Sequence, residues 1–368
     1  MPELPEVEHY RQILLSLVSN EKNDQQKKSV RLEFGPPPLP TKRFPSERTI
    51  RLINEGDYII IDVLRKGKVL CVVLKKTSSS GKTSTAKEDD ISATTINEEA
   101  DIITGKEATI LISLHMGMTG RISSPNHIPK LESLSDECSY PPPHTHLIIN
   151  SPNNGQQACF SDPRRFGSVF VHGYNGQSYI IDEDSIPAFQ ELAPDALAAS
   201  AQDSRSSEDI VHKFANQKKV IKAILLDQRQ VVSGVGNWVA DEVLYRSRLH
   251  PDQSFLTISE ASKLVSEIHH VLSTAVKCLN DGEKQFPEEW LFHRRWRGGG
   301  NKGTNSKDVN GKTISFVKSG GRSSAIVPSL QKKVARKVAN VDKSDTAECK
   351  KTKSMTMQRA SVKRRRRT

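Results

Sequence analysis

Residues 58–75 read YIIIDVLRKGKVLCVVLK, and this stretch decides the fold of the first half of the chain. Two runs of β-branched and apolar residues flank a basic Arg-Lys-Gly-Lys turn, which is the pattern of a β-hairpin. Further strand patterns follow at 108–115, 144–150, 157–161, 167–172 and 178–182. An amphipathic helix is predicted at 5–18, ahead of the hairpin. We therefore predict an antiparallel β-sandwich flanked by an N-terminal helix.

The second half of the chain changes to helical periodicity. Apolar residues recur at intervals of three and four over 208–216, 219–227, 237–247 and 258–280. Residues 310–327 then give two short strand patterns around Lys-Ser-Gly-Gly-Arg, which predict a second hairpin. The predicted fold class is therefore α+β.

The composition divides the chain into five predicted regions. Residues 77–107 are polar, acidic and poor in aromatic residues, as is typical of a disordered insertion. In chain order we predict a β-sandwich domain over 2–182 that contains this insertion, a linker over 183–207, a helical domain over 208–290, a hairpin region over 291–330, and a disordered basic tail over 331–368.

The net charge of +11 over 368 residues is located in the tail. Residues 331–368 hold 14 basic and three acidic residues, so the other 330 residues carry 40 of each sign. Because the insertion and the linker are acidic, the remaining residues before position 331 carry a second excess of basic over acidic residues. Both surpluses indicate a polyanionic partner. The basic run at 363–367 is typical of a nuclear-import signal or a polyanion-binding arm.

Several classes of protein are disfavoured by the sequence. No apolar run approaches the 18 or so residues that a membrane helix needs, and the N-terminus lacks the pattern of a secretory signal. The five cysteines are scattered without a Cys-x-x-Cys pair, so neither a disulfide framework nor a four-cysteine zinc site is expected. His144 and His146 share a strand face without an evident third ligand, so we predict no metal there.

The first eight residues, MPELPEVE, carry candidate chemistry. Removal of the initiator methionine would leave Pro2 with a free secondary amine, which can attack an electrophilic sugar carbon. Free α-amino groups titrate at about 7.7–8.0, and a neighbouring helix N-terminus disfavours the cationic form. Glu3 and Glu6 lie close enough in sequence to transfer protons. Read without further context, the same residues are also those of an ordinary helix N-terminus.

Four separated segments resemble one family in the correct order. They are MPELPEVE at 1–8, LHMGMTG at 114–120, DPRRFG at 162–167 and GVGN at 234–237. Together they are similar to the formamidopyrimidine-DNA glycosylase family, whose members are bifunctional base-excision enzymes and include endonuclease VIII. The resemblance runs from residue 2 to about 330 and implies a β-sandwich joined to a helix–two-turn–helix domain.

The resemblance implies three groups of site residues. A base inside a duplex cannot be reached, so such an enzyme flips it out and fills the void with side chains. The implied catalytic residues are Pro2, Glu3 and Glu6; the implied phosphate-binding residues are Lys68, His115, Asn237 and Arg322; the implied void-filling residues are Met118, Arg164 and Phe166.

The C-terminal region departs from the bacterial pattern. Bacterial members end in a four-cysteine zinc finger, whereas SGGRSS at 319–324 keeps a hairpin apex with an arginine and no cysteine. This is similar to the zincless finger of plant and fungal members. The bacterial segment that encloses 8-oxoguanine is not recognisable at 294–307. This disfavours a preference for 8-oxoguanine over formamidopyrimidines and hydantoins. The ranking of the three lesions and the preference for the opposite base stay open.

The resemblance implies a monomeric DNA glycosylase with AP-lyase activity that acts on damaged double-stranded DNA without cofactor or metal. The basic run at 363–367 predicts a nuclear location. A nuclear import receptor is the second expected partner, through the tail. One alternative is an endonuclease VIII-like enzyme for oxidised pyrimidines, which the Met118, Arg164 and Phe166 set disfavours. Another is a damaged-DNA-binding protein without catalysis, which the intact Pro2 and Glu3 disfavour.

Overall fold

The computed structural model describes residues 2–18, 29–35, 42–77, 108–127, 139–152, 155–176, 181–201, 205–282, 285–295 and 307–335. Residues 1–333 fall into one compact unit. The predicted insertion beyond Thr77 and the tail beyond residue 335 lie outside the described residues, as does most of 294–307.

Helix α1 (Leu4–Leu15) begins where the sequence predicts a first turn. Pro5 suits that turn because its missing N–H would have no helical partner there. The Glu6 carboxylate accepts a hydrogen bond from the Glu3 backbone N–H, at 3.0 Å, and so closes the start of the helix. Val7 and Tyr10 pack into the core of the sandwich, whereas Leu4 packs into the core of the helical domain. The first turn of α1 therefore belongs to both cores.

Two four-stranded antiparallel sheets form the sandwich. Its elements are β1 (Arg31–Phe34), α2 (Glu47–Asn54), β2 (Tyr58–Lys66), β3 (Val69–Lys76), β4 (Thr109–His115), β5 (Arg121–Ser123), β6 (Thr145–Ser151), β7 (Gln156–Ser161) and β8 (Ser168–Tyr174). One sheet has the order β2-β3-β4-β8 and the other β1-β6-β7-β5. In the first sheet His115 pairs with Val69 on one side and with Ser168 on the other. This register brings the hairpin tip, His115 and the loop before β8 to one edge.

The α+β prediction is confirmed, and the strands are mostly where the alternating pattern indicated. The hairpin at 58–75 is β2 and β3, and the patterns at 108–115, 144–150, 157–161 and 167–172 correspond to β4, β6, β7 and β8. The pattern at 178–182 is not a strand in its described part, residues 181–182. Strands β1 and β5 and helix α2 had no sequence prediction.

Residues 183–201 were expected to be part of a linker, but they form short helices with buried side chains. A 3₁₀ turn at Glu183–Ser185 leads into α3 (Pro187–Gln190), and α4 (Ala196–Ala199) follows. Phe189 is fully buried against the outer face of the first sheet, and Ala196 lies in the helical core. The segment resembles a linker in composition because its acidic residues outnumber these few buried apolar ones.

The helical domain contains α5 (Arg205–Ala215), α6 (Ile221–Leu226), α7 (Asn237–Ser247) and α8 (Ile258–Asn280). The apolar face predicted for the last helix is buried, with Leu264, Ile268 and Leu272 all at 0% exposure. Thr257 and Glu260 form a capping box at its start. Helices α6 and α7 are joined by two turns over 227–236. Among the residues that the structure describes, no helix combines the length and apolarity needed to cross a bilayer.

A second hairpin follows the helices. Strands β9 (Ser315–Ser319) and β10 (Arg322–Ile326) pair antiparallel, with Ser319 opposite Arg322 at the turn. A small apolar cluster holds the hairpin to the helical domain and consists of Leu291, Ile314, Ala325 and Val327. The Tyr245 hydroxyl donates to the Asp308 carboxylate at 3.0 Å, which fixes the turn that precedes β9.

Candidate active site

Glu3 joins the N-terminal segment to the start of α7. Its carboxylate oxygens accept hydrogen bonds from the backbone N–H groups of Trp238 (2.9 Å) and Val239 (3.0 Å). The N-cap of α7 is Gly236, which has no side chain to satisfy these donors, so the distant carboxylate does so instead. Glu3 is 1% exposed. A negative group is stabilised at a helix N-terminus by the aligned peptide dipoles.

Glycines in the GVGN turn make this close approach possible. A Cβ atom at Gly236 would lie 2.2 Å from Cδ of Glu3, which leaves no room for any side chain. Gly234 adopts a φ of +105°, and its carbonyl accepts a hydrogen bond from the Leu4 N–H at 3.1 Å. The turn therefore serves as a docking surface for the first turn of α1.

Glu6 lies beside Glu3 and is bonded to the same helix. Its Oε1 accepts from the indole Nε1–H of Trp238 at 3.1 Å, and its Oε2 accepts from the Glu3 backbone. Burial and the neighbouring Glu3 charge raise the pKa of Glu6 to about 7. A carboxyl group with this pKa can both give and accept a proton near neutral pH.

The β2–β3 turn is tied to the helical domain. Arg65 donates to Glu8 at 2.6 Å and forms a bidentate ion pair with Asp195. Asp195 also accepts from the Gly67 N–H at 2.8 Å and caps α4. Gly67 has a φ of +58°, and a Cβ atom there would lie 2.8 Å from the Ser233 hydroxyl. These contacts fix the position of the next residue, Lys68.

A cavity of about 180 Å³ opens where these elements meet. It is lined by Pro2, Lys68, His115, Met116, Gly117, Leu226, Gln228, Asn237 and Arg322. Five of the predicted site residues thus line the same cavity. They are the predicted nucleophile, Pro2, and the four predicted phosphate-binding residues Lys68, His115, Asn237 and Arg322. Burial lowers the pKa of Lys68, and the Glu3 and Glu6 charges partly oppose that effect.

His115 faces two cations in this part of the molecule. Loss of hydration lowers the pKa of His115, and the positive charges of Lys68 and Arg43 lower it further. At neutral pH its imidazole is therefore uncharged, since an ordinary histidine already titrates near 6.5. Its Nδ1 accepts a hydrogen bond from the Gly117 N–H at 3.2 Å, so Nε2 is the nitrogen that carries the donor proton.

Asn237 and Arg322 come from different elements but meet at the cavity. The Asn237 amide donates to the carbonyl of Ser323 at 3.1 Å, next to Arg322 at the start of β10. The Asn237 Oδ1 atom is buried without a hydrogen-bond partner among the described residues. On the other side, the Lys222 ammonium donates to the Asn237 carbonyl at 3.1 Å. The hydrogen bond to Ser323 thus fixes the second hairpin (β9 and β10) against the start of α7.

Met118, Arg164 and Phe166 lie on two loops that pack against each other, outside the lining of the cavity. A Cβ atom at Gly117 would lie 2.4 Å from the Gly167 nitrogen. The Arg164 guanidinium sits 4.9 Å from the centre of the Phe166 ring, and Phe166 is 45% exposed. An exposed aromatic ring covered by a guanidinium is suited to contact a flat, partly negative surface.

Asp162 organises the second of these loops. It is fully buried and accepts hydrogen bonds from the Thr119 hydroxyl (2.5 Å) and the Gly167 N–H (2.7 Å). Its carbonyl lies 3.3 Å from Nε2 of His146, which gives that histidine a structural partner. Within the described ranges, no three His, Cys, Asp or Glu side chains cluster in a way that could hold a metal ion.

Sequence reasoning missed Gln228, Asp195 and Trp238. Gln228 clamps the turn before α7, because its amide donates to the Val235 carbonyl (2.9 Å) and accepts from the Gly234 N–H (2.7 Å). Asp195 could have been found as an N-cap ahead of an Ala-rich run. Trp238 follows the GVGN motif directly, but its contact with Glu6 joins residues 232 positions apart.

The fold and the cavity define a class of two-domain proteins in which an antiparallel β-sandwich is joined to a helix–two-turn–helix domain. The family model for the formamidopyrimidine-DNA glycosylase N-terminal domain matches residues 1–169, and the model for the H2TH domain of the same proteins matches residues 192–286. The chain belongs to the formamidopyrimidine-DNA glycosylase family.

Two curated relatives illustrate the similarity. The chain is 34% identical over 217 residues to a formamidopyrimidine-DNA glycosylase of Arabidopsis thaliana, a match that covers 58% of this chain and 50% of the relative. It is 31% identical over 170 residues to one of Legionella pneumophila (strain Paris), with 45% and 53% covered. The chain thus spans about half the length of these relatives.

Solved structures share the fold. The MutM (Fpg) protein from Thermus thermophilus is similar with a TM-score of 0.56 at 24% identity, covering 91% of this chain and all of that one. Lactococcus lactis Fpg in complex with DNA containing an abasic site gives a TM-score of 0.58 at 19% identity, with 90% and 100% covered.

Proposed function

We propose that this protein is a bifunctional DNA glycosylase and AP lyase of base excision repair, which flips out and removes oxidised purines from damaged duplex DNA. The observation that carries the proposal is the shared cavity, which joins the N-terminal Pro2 to Lys68, His115, Asn237 and Arg322. A nucleophile surrounded by cations and N–H donors suits an electrophilic sugar carbon flanked by phosphates.

Flipping requires that the void in the duplex be filled. We assign this role to Met118, Arg164 and Phe166, as the family resemblance implies. Support comes from the exposed Phe166 ring, its contact with Arg164, and the rigid anchoring of the loop by Asp162. An aromatic wedge can replace a base in the stack, and a guanidinium can bond to the orphaned partner base.

The proposed reaction begins with Pro2. Its neutral secondary amine attacks C1′ of the flipped nucleotide and forms a C–N bond, while the bond from C1′ to the base breaks and the base leaves with a proton. Glu3 takes up a proton and passes it to the sugar ring oxygen, so that the ring opens to an iminium. Loss of a proton from C2′ then expels the 3′ phosphate, and a second elimination expels the 5′ phosphate. The product is a one-nucleotide gap.

The remaining cavity residues act on the backbone of the DNA. Lys68, His115, Asn237 and Arg322 would each contact phosphate oxygens near the lesion. Lys68 and Arg322 contribute charge, whereas the neutral His115 and the Asn237 amide contribute N–H donors. Because these four groups come from separate elements of both domains, a bent backbone would satisfy them better than a straight one.

Two alternatives are outcomes of the same test. An endonuclease VIII-like enzyme would act on oxidised pyrimidines, and a damage-binding protein would bind without reaction. The experiment incubates the full-length protein with duplexes that carry an abasic site, a formamidopyrimidine, a hydantoin, 8-oxoguanine or an oxidised pyrimidine, and then reduces with borohydride. Mass spectrometry of the intact protein first establishes that the initiator methionine is removed.

We expect a covalent complex with the abasic duplex and with at least one oxidised purine. We expect none after Pro2→Glu substitution at the same protein concentration, because a large residue at position 2 retains the initiator methionine and leaves no free amine at that position. Trapping on oxidised pyrimidines instead of purines would assign the endonuclease VIII type. If the processed protein binds the duplexes but traps on none of them, the enzyme proposal is refuted.

The C-terminal features fit a plant- or fungal-type member with a zincless finger and a nuclear location. Apolar packing and the Tyr245–Asp308 bond support a hairpin that folds without metal. Fusing residues 331–368 to a fluorescent protein tests whether the basic tail binds an import receptor: nuclear accumulation that is lost when the 363–367 run becomes alanine supports this assignment. Size-exclusion chromatography with light scattering tests the expected monomer.

A further inference from the structure

Trp238 contacts both carboxylates of the N-terminal segment. Its backbone N–H donates to Glu3 at 2.9 Å, and its indole N–H donates to Glu6 at 3.1 Å. The residue is 3% exposed and packs against Phe286 and Phe292, with ring centres 5.4 Å and 5.1 Å away. The aromatic cluster therefore leaves the indole ring little freedom to turn its N–H away from Glu6.

We propose that Trp238 is a positioning residue for the reaction, which orients Glu3 through its backbone and holds Glu6 through its indole N–H as a carboxylate that can accept a proton. This inference rests on the proposed function. The proton moves from the secondary ammonium of Pro2 to an oxygen of Glu6 and leaves the neutral amine that attacks C1′. No further reactant is required.

The electrostatic surroundings of Glu6 agree with this role. The charged and titratable groups that face it are Glu3, Tyr10 one turn along α1 and Lys68 at the hairpin tip. Burial and Glu3 favour the neutral acid, while backbone N–H donors favour the carboxylate. The indole N–H is the donor that α7 contributes through a side chain, and a hydrogen bond to an ionised group is among the stronger ones.

The test compares Trp238→Phe with Trp290→Phe. Phenylalanine at 238 keeps an aromatic ring and the backbone N–H to Glu3, but it removes the donor to Glu6. Trp290 is a matched control, because it is fully buried 6.4 Å from Trp238 and its indole N–H has no partner among the described residues. Incorporating benzothienylalanine at 238, which replaces the N–H by sulfur in a ring of nearly the same shape, removes the donor without altering the packing.

The measured quantity is the single-turnover rate of covalent trapping on an abasic duplex between pH 5.5 and 9.5. In the wild type the rate should rise with pH through a midpoint of about 7, as Glu6 ionises. Loss of a hydrogen bond to a charged group should move this midpoint up by about one pH unit. At pH 7 the rate would then fall about fivefold, and the difference would vanish above about pH 9.

A shifted midpoint in both position-238 variants, with an unshifted one in Trp290→Phe, supports the proposal. An unshifted midpoint in the benzothienylalanine variant refutes it, and so does an equal loss of rate at every pH. A pH titration of the Glu6 carboxyl by carbon NMR, in protein without DNA and assigned with Glu6→Gln, reports the same shift independently of activity. If the wild type traps no DNA yet the NMR midpoint shifts, the proposed function fails while the indole contact stands.

Discussion

Replacing Asp241 by asparagine tests whether the helical domain depends on one buried carboxylate. Asp241 is 1% exposed and accepts hydrogen bonds from Lys222 and, at 2.8 Å, from Arg295. The N–H of Ala325 in β10 lies 3.3 Å from the same carboxylate. Asp241 therefore joins α6, α7 and the second hairpin directly beneath the Asn237 end of the cavity.

The magnitude follows from the burial of the two cations. The side chain of Lys222 is 0% exposed and that of Arg295 is 5% exposed, so water cannot replace the lost charge. Breaking a buried ion pair by removing one partner costs about 3–5 kcal/mol. Since domains are stable by about 5–15 kcal/mol, we expect Asp241→Asn to lose a third or more of the free energy of unfolding at pH 7.

The loss should depend on pH because Lys222 can shed its proton. Burial lowers the pKa of Lys222, and Asp241 opposes that lowering, so the substitution lowers the pKa further. An unfolded lysine keeps its proton up to about pH 10.4. Between the lowered value and that pH the unfolded state binds more protons, so stability rises with pH. The destabilisation should therefore be smaller at pH 9.5 than at pH 7.

Equilibrium unfolding in urea measures both effects, with fluorescence of Trp238 and Trp290 reporting the helical domain. Glu267→Gln is the control, because it breaks a 2.7 Å pair with Arg246 whose side chains are 23% and 21% exposed. Such a pair should contribute no more than about 1 kcal/mol. If Asp241→Asn costs no more than the control, or costs the same at both pH values, charge pairing is not what stabilises this region.

Three further predictions concern the cavity. Gly236→Ala should leave a folded protein whose trapping rate falls about a hundredfold, since the new methyl group displaces Glu3; an unchanged rate would contradict the assignment. Gly67→Ala should lower the free energy of unfolding by about 1 kcal/mol and also weaken DNA binding. Gly155→Ala is the control, because Gly155 has a similar φ of +68° but lies in open space, so this substitution should lower stability alone. Equal DNA affinity in both variants would exclude a role for the hairpin tip. Arg322→Ala should weaken binding to damaged and undamaged duplexes alike. It should also reduce the slope of log K against log salt concentration by about one, as measured by fluorescence anisotropy at several salt concentrations. An unchanged slope would mean that this arginine contacts no phosphate.

The parts of the fold that the sequence predicts are those with strong local patterns. The hairpin at 58–75 alternates β-branched residues around a turn, and the helix at 258–280 keeps one apolar face over six turns. Strands of three or four residues, such as β5, are too short to show a period. The linker prediction missed α3 because Phe189 is a single apolar anchor in an acidic stretch, and tertiary burial outweighs composition there.

The candidate site likewise contains residues that the sequence predicts and contacts that it does not. Motif resemblance supplied Pro2, Lys68 and Asn237, and the structure brings these three to one cavity. The tether from Asp195 to the hairpin tip and the bond from Trp238 to Glu6 join residues 130 and 232 positions apart. Such contacts leave no local period, because they depend on how two separately patterned domains pack together.

The bond from Glu3 to the start of α7 also sets an order of events during synthesis. The Glu3 carboxylate cannot reach its partners at the start of α7 until Trp238 has emerged from the ribosome, 235 residues later. At about 5–20 residues per second this interval is about 10–50 seconds. Throughout that time Leu4 lacks the helical core in which it is finally buried, and Pro2 lacks its cavity. The proposed nucleophile, Pro2, therefore gains its cation-lined cavity only after nearly the whole body of the protein has been made.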